Sequence, residues 1–179
     1  MTSHTLDTTA PFSSLGALQD FTGTPCLVYP ASRALEAPEA AALLAELNTF
    51  LADWASHGSP VTGAATLVED RFVIVSHKPM EIAGCSRDSL LFFMNKAAAD
   101  RGFQWGGGVR VFYKDASGAV VDVDWPTFRK LAAEGAFGSD TVVYDTTVRE
   151  TDGILNGKFA LPAKDSWHAK LMPEVVSAA

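Results

Sequence analysis

The chain has 179 residues, of which 47% are hydrophobic and 20% charged, and its 14 Lys plus Arg against 21 Asp plus Glu give a formal net charge of −7. This length suffices for one domain with its own core, and the longest strongly apolar stretch, residues 90–94, is far too short to span a bilayer. The acidic balance argues against non-selective nucleic-acid binding, and two cysteines fit a reducing compartment. We therefore expect an acidic, cytoplasmic protein that binds neither nucleic acid nor membrane.

The first residues differ in composition from the rest of the chain. Residues 1–24 are rich in Thr, Ser and Pro and contain no Lys or Arg. This composition predicts a flexible N-terminal arm, with Phe12, Leu15 and Leu18 as points that dock on the body of the protein. Residues 25–179 are predicted to form one domain.

The first half of the domain alternates strands with helices. Strands are predicted at residues 26–29, 62–68 and 71–76. The unbroken apolar run 72–75 indicates that the last of these is a central strand covered on both faces. The first helix is predicted to run from Pro38 to Trp54, since its leucines fall on one stripe, and Gly58 ends it.

Two further helices are predicted in the second half. One covers residues 87–101, with Ser86 as its N-cap, and because residues 90–94 are all apolar we expect it to be buried nearly all round. The other is short and has Asp124 as its N-cap. The remaining strands are predicted at residues 109–113, 119–123, 141–144 and 159–161.

This order of elements determines the expected fold class. The series strand, helix, strand, strand, helix, strand, followed by a hairpin, a helix and more strands, predicts an α+β fold. We expect a two-layer α/β sandwich with a mainly antiparallel sheet. A ferredoxin-like core with C-terminal additions is the topology that this order favours.

The best-known nucleotide and metal motifs are absent. The single Gly-Lys pair, Gly157-Lys158, is followed by Phe159 where a P-loop needs Ser or Thr. The glycine run at 106–108 does not complete a dinucleotide-binding motif, because Val111 stands at the last glycine position. No C-x-x-C or H-E-x-x-H occurs either. We therefore expect no nucleotide cofactor.

Cys85 and His57 are the first candidate site residues. Cys85 lies just before the predicted start of the second helix, where free N–H groups and the helix dipole favour a thiolate. Alternatively, it is a small buried cysteine that packs where the chain enters the helix. His57 follows the first helix, so it is either a cap for the negative end of that helix or a base or ligand.

The segment Asp165-Ser166-Trp167-His168 supplies the other candidates. Ser166 and His168 are two residues apart and would not face each other on a helix, so no local catalytic triad is predicted. Trp167 is interpreted as an anchor that docks the C-terminal tail and thereby holds His168 in a fixed place. His168 then has either a packing role or a place in a site.

Asp122 and Asp124 share one face of a predicted strand. Paired carboxylates can hold magnesium or divide acid and base work. In the simpler alternative, Asp124 caps the following helix and Asp122 is solvated.

Three motifs together resemble those of a known family. Trp54-x-x-His57-Gly58, Gly84-Cys85-Ser86 and Asp165-Ser166-Trp167-His168 are similar to the W-x-x-H-G, G-C-S and D-S-W-H motifs of small, uncharacterised bacterial proteins found mainly in Bacteroidetes. The resemblance covers about residues 25–171. Some members carry the label "ABC transporter ATPase", which this chain contradicts because it lacks a Walker A motif. The resemblance implies no activity, but it singles out His57, Cys85, Asp165 and His168.

Two functional hypotheses follow. In the first, Cys85, His57 and His168 converge on a pocket. They then serve either in thiol-based catalysis on a small molecule or as three ligands of a zinc ion. In the catalytic version Cys85 is the nucleophile, His57 or His168 is the base, and Asp165 or Asp88 is the orienting group. In the second, the chain is a non-catalytic binding module or self-associates through a sheet edge or its second helix.

Overall fold

The computed structural model describes residues 13–79, 81–106 and 110–172, with side chains from Leu15 onward. Its strands are β1 (Cys26–Pro30), β2 (Ala55–Ser56), β3 (Ser59–Pro60), β4 (Thr62–Val68), β5 (Phe72–Lys78), β6 (Arg110–Lys114), β7 (Val120–Asp124), β8 (Val142–Tyr144) and β9 (Ala160–Pro162). Its α-helices are α1 (Ala37–Ala52), α2 (Gly84–Asp100), α3 (Trp125–Ala133) and α4 (Thr151–Leu155). Three 3-10 helices complete the fold, namely η1 (Ser13–Phe21), η2 (Ala163–Asp165) and η3 (Trp167–Leu171).

The strands form two main sheets and a small hairpin. The first sheet has the order β1-β5-β4, the second has the order β7-β6-β8-β9, and β2 pairs with β3. All of these pairings are antiparallel. The predicted α+β class with antiparallel sheets is therefore confirmed. The apolar run of β5 makes it the central strand of the first sheet, as predicted, because its residues are buried on both faces.

Three apolar clusters show how the layers stack. Val73 and Val75 of β5 pack towards α1 and α2, whereas Phe72 and Ile74 point to the second sheet. In the second sheet, Phe112 and Tyr144 face the first sheet. The opposite face of the second sheet is covered by α3 and η3. The layers are therefore helices, sheet, sheet and helices, so the predicted two-layer sandwich is wrong: the apolar residues on both faces of both sheets each need a covering layer.

Aromatic rings fill the space between the sheets. Phe72 stacks on Tyr144 with ring centroids 4.7 Å apart, and it meets Phe112 and Phe159 edge-on at 5.3 Å and 5.1 Å. All four side chains are almost fully buried. Such pairs contribute about 0.5–1.5 kcal/mol each beyond the burial of their area.

The predicted ferredoxin-like core is not formed by the described residues. That topology needs a fourth strand beside β1. The chain after α2 runs beside the end of β1 but makes only isolated contacts there among the described residues. Ala31 and Trp105 form a single antiparallel bridge, and the N–H of Gly106 donates to the carbonyl oxygen of Pro30 at 2.5 Å. The next described strand, β6, belongs to the second sheet instead.

Helix α2 differs from its prediction in two ways. It begins at Gly84 with Ala83 as its N-cap, so Ser86 lies inside the first turn and donates its hydroxyl to the carbonyl oxygen of Ala55 at 2.9 Å. It is also buried on one side only, since Leu91 is 48% exposed and Phe92 73% exposed. Because residues 90–94 are all apolar, the sequence does not show which of these side chains point away from the sheet.

The N-terminal segment is part of the packed body from residue 13 onward. Helix η1 lies against β4 and β5, and Leu15 and Leu18 are buried between the sheets, at two of the predicted docking points. Phe12 and the rest of residues 1–12 lie outside the described ranges, so the flexible arm stays a prediction there. Among the described helices, none has the length and apolar character that a membrane crossing requires.

Candidate functional site

Cys85 occupies the first turn of α2 and is exposed. The alternative in which this cysteine is a buried packing residue is therefore wrong. The start of α2 is hydrogen-bonded to residues 54–56. The N–H of Ala83 donates to Ser56 Oγ at 2.9 Å, and Trp54 Nε1 donates to the carbonyl oxygen of Ser86 at 3.0 Å. These bonds fix the corner of the fold on which Cys85 lies.

His57 lies in the tight turn of the β2–β3 hairpin and is exposed. His57 and Gly58 have φ values of 51° and 79°, as a two-residue hairpin turn requires. The predicted cap on α1 is wrong, because that helix ends at Ala52 with Asp53 as its C-cap. Since the hairpin packs on the start of α2, His57 and Cys85 occur at the same corner of the protein.

His168 lies in η3 and is almost fully buried. Ser166 Oγ lies 2.7 Å from His168 Nδ1, contrary to the prediction that these side chains do not face each other. They meet because Ser166 is the extended N-cap residue of η3 rather than part of a helix. Burial lowers the pKa of His168 to about 4, and the negative charge of Asp145 opposes this effect.

Trp167 docks the C-terminal segment, as predicted. Its indole stacks on His168 with ring centroids 3.8 Å apart, and its Nε1 donates to Asp145 Oδ1 at 3.1 Å. Asp165 is exposed at the end of η2, and the carboxylate that influences His168 is Asp145 instead.

The structure places Cys85 and His57 on neighbouring elements, because the β2–β3 hairpin contacts the start of α2. Cys85 and His57 lie on the outer side of the first sheet, whereas His168 lies on the far side of the second sheet with η3. Two sheets, which pack about 10 Å apart, separate them. In the ranges that the structure describes, no group of three His, Cys, Asp or Glu side chains could hold a metal ion. The three-ligand zinc centre is therefore not formed there.

Asp122 and Asp124 have separate roles. Asp124 accepts a hydrogen bond from the N–H of Thr127 at 2.8 Å, and this confirms it as the N-cap of α3. Asp122 is not solvated as predicted, because its carboxylate pairs with the guanidinium groups of Arg71 and Arg110. Both carboxylates are therefore engaged by protein groups.

Arg71 is a buried cation that the sequence analysis missed. It lies just before β5, and its side chain is 5% exposed. It donates to Asp122 and to the carbonyl oxygens of Val120, Ala31 and Ser32. Its guanidinium also lies over the ring of Phe112, 5.2 Å from the centroid. A desolvated guanidinium needs such partners, since an unpaired buried charge is strongly destabilising.

A cavity of about 160 Å³ opens beside this cluster, between β1 and the second sheet. Its lining residues are Val28, Pro30, Gly106, Arg110, Phe112, Thr146, Thr147 and Arg149. The cavity could hold about five water molecules or a small polar ligand, since a water occupies about 30 Å³ of liquid volume.

The cavity lies along the outer edge of β1, and within the described ranges two loops bond to that edge at its ends. At one end Gly106 bonds to Pro30, and at the other the N–H of Cys26 donates to the carbonyl oxygen of Arg149 at 2.9 Å. A side chain at position 106 would be crowded, since a Cβ there would lie 3.2 Å from Phe112 Cζ and 3.3 Å from the oxygen of Pro30.

The cavity carries positive charge in an acidic protein. Arg110 Nε donates to Asp122 Oδ2 at 2.6 Å, but this carboxylate is shared with Arg71. Within the described ranges, Arg149 donates only to the carbonyl oxygens of Thr146 and Val148, at 2.9 Å and 3.0 Å, through its Nη1 atom. Arg71 and Arg110 share Asp122, and Arg110 also lies opposite Asp124 in the β6–β7 pair, whereas Arg149 makes no ion pair within the described ranges. The Nε and Nη2 donors of Arg149 are therefore available to a ligand.

The threonines add hydroxyl groups to the same wall. Thr147 is held by Asp145, whose Oδ1 accepts from its N–H at 2.9 Å and from its hydroxyl at 2.5 Å. This local turn fixes the backbone that carries both Thr146 and Arg149. The hydroxyl of Thr147 donates its single proton to Asp145, so the donors that face the cavity are the arginines and Thr146, and these match the oxygens of a phosphate or a carboxylate.

The sequence analysis missed Arg110, Thr146, Thr147 and Arg149. The available signal was local: Asp145 followed two residues later by a hydroxyl residue indicates a rigid polar turn after a strand. The convergence of Arg110 with Arg149 had no such signal, because it depends on the pairing of β6 with β8.

Comparison of the chain with protein-family models, with curated proteins and with solved structures finds no match. The similarity of its three short motifs to the bacterial family therefore stays a prediction.

Proposed function

We propose that the chain is a binding module for a small anion, with a phosphate or carboxylate group seated in the cavity beside β1. The observation that supports this proposal is the pair of guanidinium groups, Arg110 and Arg149, in a cavity of a protein whose net charge is −7. Planar guanidinium groups bind such oxygens with paired, charge-assisted hydrogen bonds.

The proposal develops the non-catalytic alternative rather than the Cys/His site. Thiol-based activity would now rest on Cys85 and His57 alone, and the cavity lies at the outer edge of β1 rather than at the corner that carries these two residues. The arginine cavity does not require them.

Calorimetric titration with inorganic phosphate and with acetate, at constant ionic strength set with chloride, tests the proposal. We expect saturable binding of one anion per chain. Arg149→Gln should raise the Kd about 10- to 100-fold, since a hydrogen bond to a charged group contributes about 1.5–3 kcal/mol.

Arg129→Gln is the matched control, because it removes the same charge from an exposed position on α3 that does not line the cavity. It should leave the Kd unchanged. Equal weakening by both substitutions, or no saturable binding of either anion, would contradict the proposal.

A further inference from the structure

Helix α2 presents an apolar surface to solvent on the side away from the first sheet. Phe92 is 73% exposed and Leu91 48% exposed, the highest values among the large hydrophobic side chains of the described ranges. The neighbouring Phe93 is half-buried and stacks on Phe50 of α1 with ring centroids 4.9 Å apart. An exposed phenylalanine next to further apolar surface is typical of a contact surface.

Charges flank Phe92 symmetrically on this face. Asp88 precedes it by four residues and Lys96 follows it by four, so the three side chains lie on one stripe of the helix. Each charge is about 6 Å along the helix axis from Phe92, at 1.5 Å per residue. Lys96 now pairs with Asp100 in the same helix at 2.6 Å, and both side chains are more than half exposed.

We infer that this face binds a second copy of the chain, with the two α2 helices antiparallel about a two-fold axis at Phe92. In this arrangement Phe92 packs on its own symmetry mate. Asp88 of each copy then faces Lys96 of the other copy, which gives two opposite-charge pairs. A two-fold interface must be self-complementary, and this stripe has the required pattern. A parallel arrangement would place Asp88 opposite its own copy.

The termini of the chain do not offer the same complementarity. Residues 1–12 and 173–179 contain no Lys or Arg, so neither segment supplies a basic side chain comparable to Lys96 for Asp88. A second copy supplies both charges and the aromatic ring.

The contact is expected to be reversible. One helix face from each copy gives an interface at the small end of the range for specific complexes, and such interfaces are weak or transient. The inference is independent of the anion cavity, which lies at the edge of β1.

Sedimentation of the full-length chain over a range of concentrations, at about 0.15 M salt, tests the inference. We expect a monomer–dimer equilibrium. Phe92→Glu should raise the dimer Kd at least about 10-fold, because it removes the central apolar contact and places two carboxylates together. Circular dichroism checks that each variant is folded.

Charge reversals test the antiparallel register. Asp88→Lys alone and Lys96→Asp alone should each weaken the dimer, because each sets like charges opposite each other. The double variant should restore it, because both pairs are then inverted. Arg129→Glu is the matched control, since this exposed residue lies on α3, away from the proposed face of α2.

A monomeric mass at every concentration would overturn the inference. So would a dimer that forms normally with Phe92→Glu, or a double charge reversal that fails to restore association. An unchanged Kd with Arg129→Glu, together with recovery in the double variant, would support it.

Discussion

Arg71 reaches from the turn before β5 to Asp122 on β7, so that one buried ion pair joins the two sheets. Their side chains are 5% and 16% exposed, and the same guanidinium also bonds to three backbone carbonyl oxygens. Removal of Asp122 would therefore leave the guanidinium of Arg71 as a buried charge without a carboxylate, whereas Asp122 also has Arg110 as a partner.

Asp122→Ala should lower the free energy of unfolding by about 3–5 kcal/mol, because it leaves the guanidinium of Arg71 buried between the sheets without its carboxylate partner. Urea denaturation measures this change. Asp100→Ala, which removes the exposed partner of Lys96, is the control and should cost at most about 1 kcal/mol. Similar costs for the two variants would show that the ion pair between the sheets is not desolvated.

The two cysteines should differ sharply in reactivity. Burial raises the pKa of Cys26 to about 11, whereas Cys85 is exposed. A thiol reagent at pH 7.5 should therefore modify one thiol per folded chain, and Cys85→Ser should abolish that reaction. The second thiol should react only after unfolding. Rapid modification of two thiols in the folded protein would contradict this assignment.

His168 should make stability depend on pH. Its folded pKa of about 4 lies below the unfolded value of about 6.5, so the unfolded state binds the proton first as the pH falls. The neutral form contributes stability that is complete above pH 6.5 and is lost between 6.5 and 4. For a pKa shift of this size, the free energy of unfolding falls by about 3 kcal/mol over this pH range.

Urea denaturation of the parent and of His168→Phe between pH 7.5 and 4 gives the free energy of unfolding of each protein as a function of pH. The contribution of His168 is the difference between the slopes of these two curves. Phe137→Leu is the control, because it changes the packing of the same apolar cluster through Tyr113 and Phe128 while retaining the titrating group and its stacked indole. Equal pH slopes for the parent and His168→Phe would mean that the imidazole is solvated.

Gly106→Ala should destabilise the fold by about 1–3 kcal/mol, since its Cβ would crowd Phe112 and the oxygen of Pro30. The same change narrows the anion cavity and should weaken phosphate binding. Gly138→Ala is the control, because a Cβ there meets nothing within 4 Å, and it should be neutral or slightly stabilising. Thermal unfolding with and without phosphate measures both effects.

Local elements were well predicted because their signals are local. The strand at 62–68 has the predicted bounds, and the cap at Asp124 is as expected. Short runs of strand-forming residues bounded by turn residues, and a capping side chain, act within a few residues of each other, so the sequence carries this information directly.

The arrangement of these elements was less predictable. Whether the chain after Trp105 extends the first sheet or starts a second one depends on pairing partners far away in the sequence. The number of layers depends on the same choice. The burial of α2 was overestimated because the composition of residues 90–94 does not show which side of the helix meets the sheet.

The candidate site shows the same contrast between local signals, which the sequence carries, and long-range contacts, which it does not. Reactive residue types drew attention to Cys85 and His168, but these side chains lie on opposite sides of the two sheets. Arg110 and Arg149 are ordinary surface residue types in the sequence, and the fold alone brings them to one cavity.

The strand that begins the first sheet is tied to a late part of the chain. Pro25 bridges to Glu150, and the hydroxyls of Ser76 and Thr24 lie 2.8 Å and 3.3 Å from that of Thr151. During synthesis, the first sheet therefore emerges from the ribosome well before the residues that cover its inner face. Until residue 159 has emerged, Phe72 and Ile74 lack their complete covering, so the nascent chain exposes an aggregation-prone apolar surface during this interval.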